Sequence, residues 1–328
     1  MPTANEPTFT SVLGPIICDL ICEKRGLGYH YDKEACNFAR FDRFCVAMGH
    51  HDLALPRELV DAWTAKQAHE TEINRHHRIS LMRVLGSYMC KCGYSAFVYP
   101  TQTTDRSASR YVPYIFSKVE LVALFSAADA CQPDRNSHDR DLVLPVLFRV
   151  LYGTGMRISE ALALQQSDLD ICSGTLHIRQ AKLDKERCIP MHPVLAGRME
   201  LYLGKLELIF GPEGPLFPGP TGAAYTTDTI YSYFRRFLWQ ANISHRGRGH
   251  GPRLHDLRHS FAVHCLKKWV LDGVDLTAAL PYLSAYMGHA GLKSTQGYLR
   301  LTAELYPTIV MTVEKQFGSI IPEGGGHR

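Results

Sequence analysis

Apolar residues recur at intervals of three and four positions through most of the first hundred residues, the spacing of helices that bury one face. One series comprises Phe38, Phe41, Phe44, Cys45 and Met48, and a second comprises Ile79, Met82, Leu85, Tyr88 and Met89. Strict alternation of apolar and polar residues, which marks a strand, does not occur between about residues 15 and 98. The pattern therefore predicts four or five helices in a compact all-α domain.

A polar segment without periodicity, from Tyr99 to Arg110, follows this region and has the composition of a linker. Ser117 and Glu120 then form the sequence signature of a capping box, which predicts a helix beginning directly after Ser117. A further long helix is expected to end near Gly153. We predict an N-terminal helical domain over residues 1–102, a linker over 103–114 and a second domain over 115–328.

Two short segments of the second domain have strand character, Thr175–Arg179 and Arg187–Pro190. The residues between them are polar, so the two segments form a predicted hairpin. From Val194 onward the spacing is again mostly helical, apart from a loop rich in glycine and proline. The predicted fold class is mainly α with a small antiparallel β-sheet in the second domain.

The composition restricts the classes of protein to consider but does not indicate a function. The chain has 328 residues, enough for two domains, and its hydrophobic fraction of 45% is ordinary for a protein with proper cores. A net charge of +4 does not by itself indicate nucleic-acid binding, so local clusters have to carry that argument. We see no signal peptide or membrane-spanning run, and we expect a soluble cytoplasmic protein without a membrane partner.

Ten cysteines are scattered along the chain, which favours reduced thiols over a disulfide framework. Cys18 with Cys22, or Cys90 with Cys92, could be combined into a zinc site, but the irregular spacing favours small buried side chains. We predict no metal and no other cofactor.

The candidate chemistry lies in an ordered set of residues in the second domain. The set comprises Arg157, His255, Arg258, His289 and Tyr298. Guanidinium groups donate two parallel hydrogen bonds and so stabilise charge on the non-bridging oxygens of a phosphate, while a tyrosine hydroxyl can attack the phosphorus. Glu160 follows Arg157 at a spacing that allows an orienting pair. Each residue alone also fits an ordinary surface or packing role; the ordered combination is the specific signal.

This ordered set resembles the tyrosine recombinases, also called the phage integrase family, and the resemblance extends from about Val119 to Leu301. It implies a two-domain, C-shaped clamp whose N-terminal helical domain binds core DNA sites. It also implies that Arg157 and Arg258, helped by His289, hold the scissile phosphate and that Tyr298 attacks it to give a 3′-phosphotyrosine. His255 would assist proton movement at the tyrosine. A tetramer would act on two paired recombination sites in double-stranded DNA. The protein would be associated with the nucleoid, and accessory DNA-bending proteins or a partner recombinase could take part.

The resemblance further implies that a lysine in the hairpin turn protonates the leaving 5′-oxygen. Lys182 occupies the matching position, but the glycines that family members often have on either side of it are absent here. Lys185 therefore stays open as an alternative acid. A solvated turn is the ordinary explanation of both lysines.

Basic clusters suggest further DNA contacts. Arg246, Arg248 and Arg253 lie in a glycine-rich stretch that could approach phosphates, and a solvated loop explains the same composition equally well. Arg75, Arg78 and Arg83 could follow phosphates along one helix, or form a solvated basic face. Near the C-terminus, an apolar stripe could dock onto a neighbouring protomer or onto its own chain. The stripe comprises Leu305, Ile309, Val313 and Phe317.

Two other classes of function compete with recombination. A type IB topoisomerase uses the same chemistry to relax DNA without pairing sites, and a non-catalytic regulator could keep the fold and bind DNA only. The closeness of the Met-Gly-His segment and its following tyrosine to recombinase patterns disfavours the first. The complete nucleophile and arginine set disfavours the second.

Overall fold

The structure, a computed structural model, describes residues 7–100, 112–135, 137–179, 186–245, 251–289 and 291–305. The chain divides into two compact units, Met1–Arg110 and Tyr111–Arg328, which we call the N-terminal and C-terminal units. Most of the predicted linker, like the turn with Lys182 and Lys185, lies outside the described residues. Within the described part of the chain, no helix is long and apolar enough to cross a membrane.

The N-terminal unit is built from helices joined by loops over residues 7–100, as the apolar spacing predicts. Its described helices are α1 (Gly14–Gly26), α2 (Asp32–Ala47), α3 (Arg57–Thr64) and α4 (Glu72–Lys91). Leu20, Phe38, Phe41 and Leu85 are fully buried where these helices pack together. The buried carboxylate of Asp42 accepts hydrogen bonds from the backbone and side chain of Ser11 and so is satisfied at the start of α1.

The C-terminal unit combines helices with one small sheet. Its described helices are α5 (Lys118–Asp129), α6 (Arg140–Thr154), α7 (Ile158–Ala163), α8 (Pro193–Phe210), α9 (Thr227–Gln240), α10 (Asp256–Leu271), α11 (Leu276–Met287) and α12 (Leu292–Leu305). The capping box predicted at the start of α5 is confirmed, since Ser117 Oγ accepts from the Glu120 backbone and Glu120 Oε2 accepts from the Ser117 backbone. The mainly helical fold class is confirmed as well.

The sheet contains three strands within the described residues, in the order β1 (Leu169–Asp170), β2 (Thr175–Ile178) and β3 (Arg187–Pro190). The predicted hairpin is present as the antiparallel pair β2–β3, with Leu176 opposite Ile189. The pattern did not reveal β1, because two residues are too short to show a period of two. β3 leads into α8 and also brings Arg187 to the candidate site.

Two buried clusters hold the C-terminal unit together. The larger contains aromatic rings of α6 and α9, with Phe148 stacked on Phe234 at 6.2 Å between centroids. The smaller joins α10, α11 and α12 and includes Leu266, Met287 and Tyr298. The hydroxyl of Ser260 on α10 accepts a hydrogen bond from the backbone N–H of Phe116, which fixes α10 against the segment that precedes α5. These contacts make α10 the central support of the site.

Candidate active site

Arg157 is placed by a tight turn between α6 and α7. α6 ends at Thr154, and Gly155 follows in the left-handed conformation at φ +60°. A side chain at Gly155 would be strained there and would also overlap the ring of Phe261, so both backbone and space require glycine. Arg157 then occupies the N-cap position of α7.

Glu160 is the buried partner of this arginine. Its Oε1 accepts from Arg157 Nη1 at 2.7 Å, and its Oε2 accepts from the Arg157 backbone at 2.8 Å. Burial raises the pKa of Glu160, but the hydrogen bonds and charges of Arg187 and Arg157 outweigh burial and lower the pKa below its ordinary value. A carboxylate that stays ionised therefore fixes the orientation of the Arg157 guanidinium.

Arg187 at the start of β3 is a second partner of Glu160, and the sequence analysis assigned it no role. Its Nη2 lies 2.8 Å from Glu160 Oε2, and its Nε donates to the Tyr286 backbone carbonyl at 3.1 Å. Only 11% of the side chain is exposed. On a short, half-exposed strand an arginine looks like a solvated residue, so the pattern carried no signal for this contact.

Arg258, in the first turn of α10, is buried at the centre of the site. Its guanidinium donates to the Gly155 carbonyl at 2.6 Å and to the Met287 carbonyl at 2.7 Å. Burial first, and the charge of Arg157 second, lower its pKa to about 10, so Arg258 remains a cation at neutral pH. It joins the turn before α7 to the end of α11.

Tyr298 on α12 points at this cation. Its hydroxyl oxygen lies 2.9 Å from Nδ1 of His259, and the guanidinium of Arg258 is near enough for its charge to act on the same hydroxyl. The residue is only 6% exposed. Burial raises the pKa of Tyr298, while the charges of Arg258 and Arg157 oppose the rise. The phenol is thus held neutral beside groups that favour its anion.

His289 follows α11 after Gly288, which has φ +64°. A Cβ at Gly288 would lie 2.5 Å from Arg187 Nη1, so this glycine allows the arginine to approach. His289 Nδ1 lies 2.8 Å from the hydroxyl of Thr295, and its ring stacks on Tyr298 at 5.9 Å between centroids. Burial, Arg258 and Arg157 lower the pKa of His289 to about 4, so the imidazole is neutral at pH 7.

His255, at the N-cap of α10, contacts the ring of His259 edge-on at 4.8 Å between centroids. Desolvation first, then Arg258 and Arg157, lower its pKa. The residue is nevertheless exposed by its accessible surface, so desolvation is incomplete and solvent weakens the effect of the two arginines. The structure thus brings Arg157, Arg258, His289 and Tyr298 together. His255 contacts the ring of His259, which in turn contacts Tyr298.

The arginines predicted to contact DNA have other described partners. Arg75 donates to the Thr64 carbonyl at 3.0 Å, and Arg83 donates to the Tyr99 carbonyl at 3.0 Å. Arg78 donates to carbonyls at the end of α3 and to Glu70. Arg253 is exposed just before α10, whereas Arg246 and Arg248 lie outside the described residues. DNA contact by these arginines stays a prediction.

Metal-binding clusters of three or more histidine, cysteine or acidic residues are not found among the residues that the structure describes. All ten cysteines are free thiols, those of the two pairs considered for zinc included. The positive charge at the site comes from the guanidinium groups of Arg157, Arg187 and Arg258.

Residues 115–304 match the model of the phage integrase family, which is more than half of the chain. The protein therefore belongs to this family, and its class is that of the tyrosine-type site-specific DNA recombinases. An inferred integrase/recombinase of Sinorhizobium fredii, y4rB, is 28% identical over 90% of this chain and 94% of its own length. The tyrosine recombinase XerC of Rhodospirillum centenum is 34% identical over 48% of this chain and 42% of its own.

Among solved structures, the fold is similar to that of a lambda integrase tetramer bound to a Holliday junction. The TM-score is 0.55 at 17% identity, and the match covers 86% of this chain and 78% of the integrase chain. At this identity the likeness concerns the fold alone.

Proposed function

We propose that this protein cleaves and rejoins DNA strands at specific sites through a covalent 3′-phosphotyrosyl intermediate on Tyr298. The observation that supports this most directly is the surroundings of the Tyr298 hydroxyl, which contacts His259 and is acted on by the charge of Arg258. A tyrosine that only packed in a core would not need a buried guanidinium and two neutral histidines around its ring.

The arginines supply the binding of the scissile phosphate. Arg157 and Arg258 direct cationic donors toward one region, and Glu160 keeps Arg157 oriented from behind. Charge that develops on the non-bridging oxygens during attack is stabilised by these fixed donors, which need no reorganisation. His289 is the remaining candidate donor of this set, because Thr295 and the Tyr298 ring hold its imidazole in place.

A proton for the leaving 5′-oxygen is assigned to a lysine of the β2–β3 turn. Lys182 is the first candidate and Lys185 the alternative. Arg187 is the first residue of β3 and contacts Glu160, which also orients Arg157. This contact links β3 to the proposed phosphate-binding arginine. The phosphotyrosine ester conserves the energy of the broken bond for religation by a 5′-hydroxyl, so the scheme requires neither metal nor ATP.

The N-terminal unit is the proposed second DNA-binding element. A groove between α2 and α4 has a mixed lining with two acidic residues, Glu34 and Glu70, beside basic and amide side chains that suit phosphate and base contacts. The basic and amide side chains include Lys33, Asn37, Arg40, His69, Asn74 and His77. We propose a tetramer on two paired sites, by analogy with the lambda integrase assembly on a Holliday junction.

Covalent trapping tests the function. The wild type and a Tyr298→Phe variant are mixed with nicked duplexes that span the ends of the protein's own genetic neighbourhood, and the mixtures are denatured in SDS. An adduct with the wild type alone is expected. Relaxation of arbitrary supercoiled DNA without a preferred site would favour a topoisomerase, and binding without any adduct would favour a regulator. An adduct formed by Tyr298→Phe would refute the nucleophile.

A further inference from the structure

One contact of the proposed nucleophile is not explained by the ordered residue set. His259, which follows Arg258 on α10, places Nδ1 2.9 Å from the Tyr298 hydroxyl oxygen. The two rings are 5.5 Å apart between centroids. His255, the residue expected to assist proton movement, makes its ring contact with His259. The histidine that touches the hydroxyl is therefore His259.

The donor in the hydrogen bond between Tyr298 and His259 follows from the groups around it. A guanidinium can only donate, so the Arg258 cation next to Tyr298 is attracted to a lone pair of the phenolic oxygen and not to its proton. The phenolic proton is then free to point at Nδ1 of His259, which accepts it in the tautomer protonated on Nε2. The remaining lone pair of the oxygen is available for attack.

The surroundings of His259 keep it able to accept. Burial, followed by His255, Arg258 and His289, lowers its pKa to about 3, so the ring is neutral at any working pH. A phosphate bound by Arg258 adds negative charge next to these groups and restores affinity for a proton. The imidazolium that forms during attack is thus stabilised by the substrate itself.

We propose that His259 is a catalytic residue that takes the proton of the Tyr298 hydroxyl as the nucleophile attacks. As the bond between the phenolic oxygen and phosphorus forms, the bond from phosphorus to the 5′-oxygen breaks and the phenolic proton moves to Nδ1. The 5′-oxygen receives a separate proton from the hairpin lysine. At religation the 5′-hydroxyl attacks and His259 returns its proton to Tyr298. This inference rests on the proposed function of Tyr298.

His259→Asn is the informative variant, because the amide oxygen can occupy the place of Nδ1 and accept the same hydrogen bond but cannot take a proton. The chain also offers a matched control. His264, on the same helix, places Nδ1 2.9 Å from the hydroxyl of Tyr152, outside the site. The single-turnover rate of adduct formation on a nicked duplex is measured for the wild type, His259→Asn and His264→Asn, with DNA affinity measured in parallel.

We expect His259→Asn to slow adduct formation about 100-fold or more at unchanged DNA affinity, the usual effect of removing a general base. His264→Asn should match the wild type. A second measurement replaces Tyr298 by a fluorinated tyrosine of lower phenolic pKa, which depends less on a base. The defect of His259→Asn should become smaller with this nucleophile.

The outcomes separate the two claims. A wild type that forms no adduct on any DNA would refute the proposed function and this inference with it. A wild-type adduct that His259→Asn forms equally fast would refute only the role of His259. An unchanged defect with the fluorinated nucleophile would also refute it, since an orienting role alone does not depend on the phenolic pKa.

Discussion

Arginines of the two units are used in different ways. In the N-terminal unit, Arg78 donates to the carbonyls of Trp63 and Ala65 and pairs with Glu70, and its guanidinium lies over the Trp63 ring. These bonds close the end of α3 against α4. In the C-terminal unit, Arg157 and Arg187 share the single carboxylate of Glu160, and Arg258 adds a third guanidinium nearby.

The difference lies in what the surroundings leave for a ligand. Around Arg78, one carboxylate, Glu70, balances one guanidinium, so the positive charge serves the stability of the fold. Around Glu160, two cations share one carboxylate, and the nearby histidines His259 and His289 have pKa values lowered first by burial and then by the neighbouring positive charges. Excess positive charge next to a buried hydroxyl defines an anion site.

Removing Arg157 should give the largest effect. Arg157→Ala is expected to slow adduct formation about 100- to 1000-fold, because one fixed donor to the transition-state charge is lost. Arg149→Ala is the matched control, since Arg149 also forms a bidentate pair, with Asp129, but outside the site. Single-turnover cleavage on a nicked duplex measures both. Equal rates for the two variants would mean that the guanidinium cluster is structural, like the one around Arg78.

Acidification should weaken the fold through the neutral histidines of the C-terminal unit. His259 and His289 have folded pKa values of about 3 and about 4, against about 6.5 in an unfolded chain. Between these values the unfolded state binds more protons, so their contribution is complete above about pH 6.5 and is lost as the pH falls toward 4. The expected loss is on the order of 2 to 3 kcal/mol for each histidine between about pH 6.5 and 4.5.

Thermal unfolding from pH 7.5 to 4.5 measures this loss, with the His259→Asn/His289→Asn double variant as the comparison. Other groups also titrate in this range, so the difference between the two curves is the relevant quantity. The double variant should lose less stability on acidification. Parallel curves would show that the two imidazoles are not held neutral by the site.

The parts of this picture that were predictable from sequence are those with local causes. The capping box of α5 and the helices of the N-terminal unit follow from spacing and from side chains within one turn. Glycine at 155 and 288 marks the turns that present Arg157 and His289. The partners of Arg187 and His259 come instead from distant parts of the chain, and those of Arg78 from the end of α3 and the loop after it. Apolar spacing gives no signal for any of these contacts.

Removing Arg78 tests whether this arginine stabilises the fold of the N-terminal unit. Arg78→Ala should lower the free energy of unfolding by about 2 kcal/mol, since charged hydrogen bonds to carbonyls at the end of α3 and to Glu70 are lost. Arg43→Ala, at an exposed position of α2, should change it by less than about 0.5 kcal/mol. Urea unfolding measures both. An Arg78→Ala variant of wild-type stability that binds DNA poorly would instead support the direct phosphate contact predicted from sequence.

Removing Arg40 should give the smallest effect. This variant tests whether an arginine of the N-terminal unit contacts DNA. Arg40 is exposed on α2 and lines the groove between α2 and α4. Arg40→Ala should weaken DNA binding several-fold, about 1 kcal/mol, on all sequences alike, and should reduce the slope of log K against log salt by about 1. Arg57→Ala is the control, because Arg57 is equally exposed but pairs with Asp61 at 3.2 Å outside the groove. Binding titrations at several salt concentrations distinguish the two variants.

If Arg57→Ala reduced the slope and Arg40→Ala did not, the DNA would lie on the α3 side of this unit, and the groove between α2 and α4 would not be its binding surface.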